Sequence, residues 1–269
     1  MNELQKKELE ILLEIDRVCK ENNIKYFLSS GTMLGAVRHN GFIPWDDDVD
    51  IIMPIEEYWK FSSVAQSALR KDFFFQSTDT DLWYRAYSKV RYNNTTMIET
   101  SYNNIGFHQG VWVDIFPIIG IPDNQRDIEK INKAIIISDL LLQDAFYKNQ
   151  TNVPLKIKIL FKIPLSLRRK ICKTIRKFVF KPLNQYNHCD YYWGFPFKKP
   201  RFLPKHFDEA IPYTYEGHIL PIPKMYDEIL TNIYGDYMTP PPPEHRNGGH
   251  SIDILDLEND YTSYIKDNL

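Results

Sequence analysis

Residues 45–52 read Trp-Asp-Asp-Asp-Val-Asp-Ile-Ile, four aspartates running straight into an apolar segment. No other feature restricts the fold as tightly. In a strand, side chains at i and i+2 share a face. Asp48 and Asp50 therefore point one way, with Asp46 placed to join them, while Val49 and Ile51 point into a core. Adjacent carboxylates repel one another unless a cation lies between them. Oxygen-only ligands on short side chains suit Mg²⁺, which keeps waters and substrate phosphates in its shell. A second block, Val111-Trp112-Val113-Asp114-Ile115-Phe116, sets one aspartate inside an otherwise apolar strand. A buried unpaired charge is costly, so Asp114 needs a partner, and a metal held by Asp48 and Asp50 supplies one. The plainer alternatives are an exposed acidic loop for 46–50 and a salt bridge for Asp114. Asp47, on the opposite strand face, reads as structural or solvent-exposed.

Around these blocks, strand and helix patterns mix. Residues 2–20 have the periodicity of an amphipathic helix carrying Ile11, Leu12, Ile15, Val18 and Cys19 on one face. Residues 24–29, 49–53, 85–92 and 110–117 read as strands. A short helical stretch covers 31–39, Pro54 opens a further helix, and 125–148 reads as one long helix. The mixture predicts an α/β or α+β arrangement around a modest mixed sheet flanked by helices. The organisation expected is a single unit over 1–269: a core at 1–150, a basic helical segment at 151–182, and a Pro- and aromatic-rich substrate-side part at 183–269. Between the first strand and the aspartates lies Ser29-Ser30-Gly31-Thr32-Met33-Leu34-Gly35-Ala36. A Gly-Thr turn opening a helix offers backbone amides and a hydroxyl to a phosphate. Many such turns merely cap helices, and this one gains weight from standing seventeen residues before Asp48.

Gly-(Ser/Thr), then a strand with Asp-x-Asp, then a lone strand aspartate is the pattern of the DNA-polymerase-β-like nucleotidyltransferase superfamily. The run from Ser30 to Ile51 as a whole resembles the signature of the LicD family, which includes bacterial phosphocholine transferases and is related to fukutin and fukutin-related protein. Trp112 to Pro117 resembles that family's second block. Tyr234-Gly235-Asp236-Tyr237-Met238, followed by prolines and Glu244-His245-Arg246, is similar to its C-terminal block. The resemblance spans roughly residues 5–250, with no recognisable motif in 123–190.

The resemblance implies an enzyme that transfers phosphocholine, or a similar alcohol phosphate, from a CDP-alcohol such as CDP-choline to a hydroxyl of a cell-surface glycan, with CMP leaving. Lipopolysaccharide, teichoic acid or a lipid-linked glycan are the acceptors it implies. Such chemistry is mostly positioning and charge neutralisation. On that basis Asp48 and Asp50 bind Mg²⁺ or Mn²⁺, Asp46 is a further ligand, and Asp114 either ligates a metal or takes the acceptor's proton. Gly31 and Thr32 are expected at the phosphates, with Arg38 and His39 as cationic neighbours. Lys89 and Arg91 alternate on one strand face and suit a pyrophosphate clamp, unless they are a solvated sheet edge. Arg38 is alternatively a structural partner of Asp46 or Asp47. Arg246 and His250 are candidates for phosphate or acceptor contact, or belong to an ordinary surface loop. Choline recognition favours an aromatic cage with a nearby acid, but 38 aromatic residues leave the cage open. Two other functions compete: a true nucleotidyltransferase that adds NMP to a small molecule or RNA, and a non-catalytic, membrane-peripheral glycan-binding protein.

The formal net charge of −2 conceals an asymmetry. Ten of the 33 basic residues fall in 151–181 with no acid among them, leaving 23 basic and 35 acidic residues elsewhere. A binder of nucleic acid along its whole length carries a dominant basic excess, so no nucleic-acid partner is expected. Within 166–181, capped by Ser166, Leu167, Ile171, Thr174, Ile175, Phe178 and Val179 share one helix face. Arg169, Lys170, Lys173, Arg176 and Lys177 share the other. That is the build of an interfacial membrane helix facing an anionic surface. It is equally the build of a packed helix with a solvated basic face, and an anionic glycan is a third partner. Three scattered cysteines without a CxxC, no signal sequence and no long apolar run predict a cytoplasmic protein, peripheral on the inner membrane face.

Overall fold

The computed structural model describes residues 1–103, 105–148 and 152–265. Asn2 starts the first helix with a capping box: its side chain accepts from the Gln5 amide at 2.8 Å, and the Gln5 side chain accepts from the Asn2 amide at 3.1 Å. That helix is α1 (Glu3–Glu21), followed by β1 (Phe27–Leu28) and α2 (Ser30–His39). Asn40, left-handed at φ 58°, ends α2. The chain continues with β2 (Asp50–Pro54), α3 (Ile55–Ala68), β3 (Phe73–Gln76), β4 (Ser88–Tyr92), β5 (Thr96–Glu99) and β6 (Trp112–Ile121). Helices α4 (Gln125–Leu140), α5 (Asp144–Lys148), α6 (Leu155–Leu160) and α7 (Leu165–Val179) follow. Then come β7 (His188–Tyr191), β8 (Ala210–Tyr215), β9 (His218–Pro223), α8 (Tyr226–Tyr234) and β10 (Ile252–Asp256).

The main sheet is mixed and six-stranded, ordered β1-β2-β6-β4-β3, with β7 beside the second half of β6. Strand β6 is buried at all ten positions, as a central strand must be. Its Pro117 has no amide hydrogen to give, yet costs the sheet nothing. Asp114 donates its amide to Val49 on the β2 side, so the odd-numbered amides face the other way. There β4 pairs only as far as Ile115 and β7 begins at Ile118, so Pro117 falls in the gap between them. The apolar alternates Ile51, Val90, Val113 and Ile115 share one core with Ile11, Leu12 and Ile15 of α1 and Phe61 of α3. A second core joins Ile128, Ile131 and Ile135 of α4 to Val179, Phe180 and Tyr192. Strands β8 and β9 form a hairpin, and β10 pairs with β5.

The mixed sheet flanked by helices matches the expected fold class, with some boundaries moved. The expected strand at 24–29 contracts to two paired residues, and β2 begins only at Asp50, leaving Asp46 to Val49 as a loop. The helix expected over 125–148 breaks after Leu140 because Arg168 reaches in from α7. Its guanidinium takes the Leu141 carbonyl at 2.6 Å and the Asp144 carboxylate beside it. Ser166 does not cap α7, which begins one residue earlier, after Pro164. The solvated sheet edge considered for Lys89 and Arg91 is corrected: β4 lies between β6 and β3, and both side chains are buried. All three cysteines are free and buried.

Helix α2 lies against the loop that precedes the aspartates. A Cβ on Gly35 would overlap the Gly41 carbonyl oxygen, a backbone atom that cannot swing away. Alanine is ordinarily worth about 1 kcal/mol over glycine in a helix interior. Here Gly35→Ala should instead lower stability, by about 1–3 kcal/mol, measured as a drop in the urea midpoint. A rise would show that the loop yields freely.

Candidate active site

Strand register assembles the site. In the parallel β2–β6 pair Asp50 stands opposite Asp114, and in the antiparallel β6–β4 pair Lys89 stands opposite the same Asp114. Gln76 of β3 follows opposite Lys89, so one polar row crosses four strands of an otherwise apolar sheet. Lys89 Nζ lies 3.0 Å from both Asp114 oxygens and donates to Oδ2, which also accepts from Trp112 Nε1 at 2.9 Å. The ammonium rests 4.1 Å from the centroid of the Trp112 ring. Asp114 Oδ1 is buried and makes no hydrogen bond. Burial pulls the Lys89 pKa down, against the opposing pull of Asp114 and Glu99.

Helix α2 holds the neighbouring carboxylates through its first turn. The Ser29 amide donates to the Asp50 carbonyl at 3.0 Å, and the Asp50 amide donates to Thr32 Oγ1 at 2.8 Å. Gly31 leaves room for Asp46, whose Oδ2 would lie 2.8 Å from a Cβ placed there. From α1, the Gln5 side-chain Nε2 donates to the Ile43 and Asp46 carbonyls at 3.3 and 3.1 Å. Ser30 begins α2 at φ 46°, a left-handed strain for a residue with a side chain, and its hydroxyl lies 2.9 Å from the Tyr191 hydroxyl.

The C-terminal block folds back onto the same loop. Asp47 accepts from the Gly249 amide at 2.9 Å and the His250 amide at 3.2 Å, and the His250 ring lies 3.3 Å from it. Asp47 is thus structural, pinning residues 249–250 beside the aspartates. Burial opposes the charge on His250, but the Asp47 hydrogen bond and the Asp48 carboxylate outweigh it and raise its pKa to about 9. His250 is therefore cationic at neutral pH.

Burial, and then mutual repulsion, push the aspartates the other way. Asp46 rises to about 7, with Asp48 its main repelling neighbour. Asp48 rises to about 6, burial and Asp114 outweighing the attraction of His250. Asp50 rises well above the carboxylate range, from burial first and then from Asp48, Asp114 and Asp46. Among the described residues no lysine or arginine comes within 4.0 Å of Asp46, Asp48 or Asp50. A group of half-buried, mutually repelling oxygens with the buried Asp114 Oδ1 beside it fits a divalent cation in charge and in donor type. The tightest convergence of possible ligand atoms among the described residues is Asp47, Asp48 and His250, all within 4.8 Å of one another. In that trio Asp47 is already engaged by the Gly249 and His250 amides, and a cation there would have to displace the imidazole's proton.

A cavity of about 830 Å³ opens over this row, lined by Asp48, Asp50, Asp114, Lys89 and His250. Tyr84, Tyr87, Tyr102 and Glu99 line it as well, and Arg85, Arg201, Tyr191 and Tyr234 complete its polar wall. Other expected site residues stand outside the lining. Arg91 is buried behind the row, donating to Gln76 Oε1 at 2.8 Å and the Gly110 carbonyl at 2.7 Å. Thr32 and Gly31 serve the backbone of Asp50 and the side chain of Asp46. Arg38 donates to the Tyr237 carbonyl at 2.7 Å and makes no ion pair with Asp46 or Asp47 among the described contacts. The His39 ring meets Trp45 edge-on, and the exposed Arg246 guanidinium lies 5.0 Å from the centroid of the same indole.

Sequence reasoning missed two features. Glu99 reaches the cavity only because β5 pairs with β10, and no cationic side chain among the described residues lies within 4.0 Å of it. Glu8 lies on the apolar face of α1, fully buried, with neither carboxylate oxygen hydrogen-bonded. Its pKa is pushed well up by burial, and then by Asp48, Asp46 and Asp47. A glutamate among leucines at helical spacing was the available sign.

A protein-family profile described as "LicD/FKTN/FKRP, nucleotidyltransferase domain" matches residues 23–154. The chain is 30% identical, over 255 residues, to the lipopolysaccharide cholinephosphotransferase LicD of Haemophilus influenzae, an alignment that covers 90% of this chain and 92% of that protein. Shorter similarities join it to an uncharacterised protein of Rickettsia typhi, 44% identical over 55 residues, and to one of Rickettsia prowazekii, 52% identical over 42 residues. These cover 20% and 16% of the chain, and 18% and 16% of the two rickettsial proteins.

Glu8 yields a test of the acidic cluster. Glu8→Gln keeps the side chain's shape and removes one buried acid from the field of three others. In chelator at neutral pH it should stabilise the protein by about 1–3 kcal/mol, seen as a higher urea midpoint. An unchanged or lower midpoint would refute the repulsive cluster.

Proposed function

The chain belongs to the LicD family, and from that premise we propose that it transfers an alcohol phosphate, phosphocholine being the best supported, from a CDP-alcohol to a glycan hydroxyl. What carries the reading is that one cavity presents two sets of groups. Asp48, Asp50 and Asp114 stand with Lys89 and His250, as a diphosphate and a divalent cation require. Tyr84, Tyr87 and Tyr102 stand with an unpaired Glu99, as a quaternary ammonium requires. Glu99 exerts its field on Tyr87, Tyr102 and Lys89, so the two sets adjoin. The relative's name, a lipopolysaccharide cholinephosphotransferase, supports the same transferred group and acceptor class.

Asp48 and Asp50 would hold the cation, Mg²⁺ by its preference for oxygen ligands, with Asp114 Oδ1, which accepts no hydrogen bond but lies 3.0 Å from Lys89 Nζ, as a further donor. When bound, that ion would neutralise charge on the diphosphate oxygens. Lys89 and the His250 imidazolium add fixed positive charge in a half-buried site, where it acts more strongly than in water. Arg85 and Arg201 reach the cavity with their guanidinium groups engaged by the Gly194 carbonyl and by Asp190, so they position its wall. The acceptor oxygen attacks the phosphorus that carries the alcohol, and the bond from that phosphorus to the bridging oxygen breaks. CMP leaves with the bridging electrons, and the acceptor's proton passes to a cavity carboxylate.

Incubating the purified protein and Mg²⁺ with CDP-choline, CDP-glycerol or CDP-ribitol and a lipopolysaccharide acceptor should release CMP. Release of pyrophosphate from CTP, with NMP added to the acceptor, would instead identify a nucleotidyltransferase. No turnover with any donor or acceptor would favour a binding protein. Asp50→Ala should lower turnover by about 10³-fold or more while leaving the circular dichroism spectrum intact, and wild-type turnover in that variant would remove the metal assignment. Glu99→Gln separates the alcohols: the KM for CDP-choline should rise roughly fivefold to tenfold with that for CDP-ribitol unchanged. Equal effects on both donors would take Glu99 out of the ammonium site.

A further inference from the structure

Helix α7 is turned differently from what its sequence suggests. Its inward face carries Arg168, Cys172, Arg176 and Val179, and the two arginines are anchored by acids. Arg176 donates to Asp139 at 2.9 Å and the Tyr84 carbonyl at 2.6 Å, while Arg168 holds Asp144 with both guanidinium arms. Apolar residues are left outside: Leu167 is 48% exposed, Ile171 38% and Phe178 74%. At 100° per residue these three and Thr174 fall within about 60° of arc. Lys170, Lys173 and Lys177 form the adjoining stripe, away from the buried face. Lys173 has Asp79 at 3.4 Å, but Lys170 and Lys177 have no carboxylate within 4.0 Å among the described residues.

Helix α6 repeats the arrangement, with Leu155 72% exposed and Ile159 56% exposed beside the exposed Lys156, Lys158 and Lys162. Phe178 also walls an apolar groove of about 560 Å³ between α4 and α7, with Ile131, Ala134 and Ile175 inside it; Lys181 lines it, as does Lys130, which is paired with Asp127 at 2.6 Å. The ring series Phe146, Tyr147 and Phe161, at 5.8 and 5.9 Å, links the lining of the catalytic cavity to the end of α6. No helix among the described residues is long and apolar enough to cross a membrane.

From this face we infer that α6 and α7 lie on an anionic lipid bilayer, with Leu167, Ile171 and Phe178 inserted among the acyl chains and the flanking lysines on the headgroups. The argument is charge complementarity. An ordinary surface helix turns apolar residues inward and lysines outward, whereas here both are outward and side by side, and acids do not balance the lysines. Only a surface with an apolar interior and an anionic boundary satisfies both stripes together. Binding there sets the catalytic cavity near the membrane, where lipid-linked glycan acceptors are held. The inference does not rest on which alcohol is transferred.

Sedimentation of the full chain with phosphatidylcholine vesicles, with and without phosphatidylglycerol, tests it without any activity assay. The wild type should sediment with the phosphatidylglycerol vesicles and be released by high salt. Ile171→Ser with Phe178→Ser, and separately Lys170→Glu with Lys177→Glu, should each partition roughly tenfold more weakly or worse. All four positions are exposed, and unchanged circular dichroism and urea midpoints establish that the variants fold. Wild type left in the supernatant at low salt, or either double variant sedimenting like wild type, overturns the inference. So does a dimer in light scattering that the Phe178→Ser variant abolishes, which would make the face an interface between two copies.

Discussion

Three charged side chains stand in line across adjacent strands, Asp50 on β2, Asp114 on β6 and Lys89 on β4, and the arrangement of the site depends on that line. A parallel pair on one side of β6 and an antiparallel pair on the other bring them into register. The fold must therefore compensate one buried and one half-buried acid with one buried cation. Lys89 serves Asp114 alone, leaving Asp50 opposed by Asp48 and Asp46, with its pKa driven up. Burying like charges together is among the costliest things a fold can do. Tolerating it here leaves a standing demand for positive charge, which a divalent cation would meet under the function proposed above.

The rest of the molecule is organised to hold that demand in place. Helix α2 fixes Asp50 by its backbone through Ser29 and Thr32, and α1 fixes the Asp46 carbonyl through Gln5. The C-terminal block returns from some two hundred residues away, so that Asp47 can hold the amides of residues 249–250 and keep His250 charged at the cavity. Glycine at 31 and 35 permits the close approaches this requires. Gly31 and Thr32, expected at the phosphates, also position the acids: Thr32 takes the Asp50 amide and Gly31 gives room to Asp46.

Beyond the sheet, α4 and α7 form a second layer held by Arg176, Asp139, Ser138 and Tyr192. Because Arg176 turns inward to Asp139 and Arg168 to Asp144, α7 is turned, and Leu167, Ile171 and Phe178 face outward. A helical wheel assigns apolar residues to the core by default. It has no way to register that an aspartate at position 139 will outbid them for the inner face.

Much of the site was legible in the linear sequence because the physics that specifies it is local. Four aspartates entering an apolar run, a glycine-threonine turn before them and a lone aspartate in a buried strand follow from side-chain alternation and the cost of buried charge. Those rules, with the signature from Ser30 to Ile51, were enough for the family, the mixed sheet and the carboxylates. Tertiary structure alone decided which of the cationic candidates reach the cavity. Lys89 does, through its register with Asp114, whereas Arg91, two residues on, is spent on Gln76 and Gly110. It also decided that Glu99 meets the tyrosines, through a β5–β10 pairing across about 150 residues, and that Glu8 lies beneath the aspartates. Strand pairings and ion pairs over such separations are set by which burial lowers the free energy of the whole chain, and no window of sequence contains that comparison.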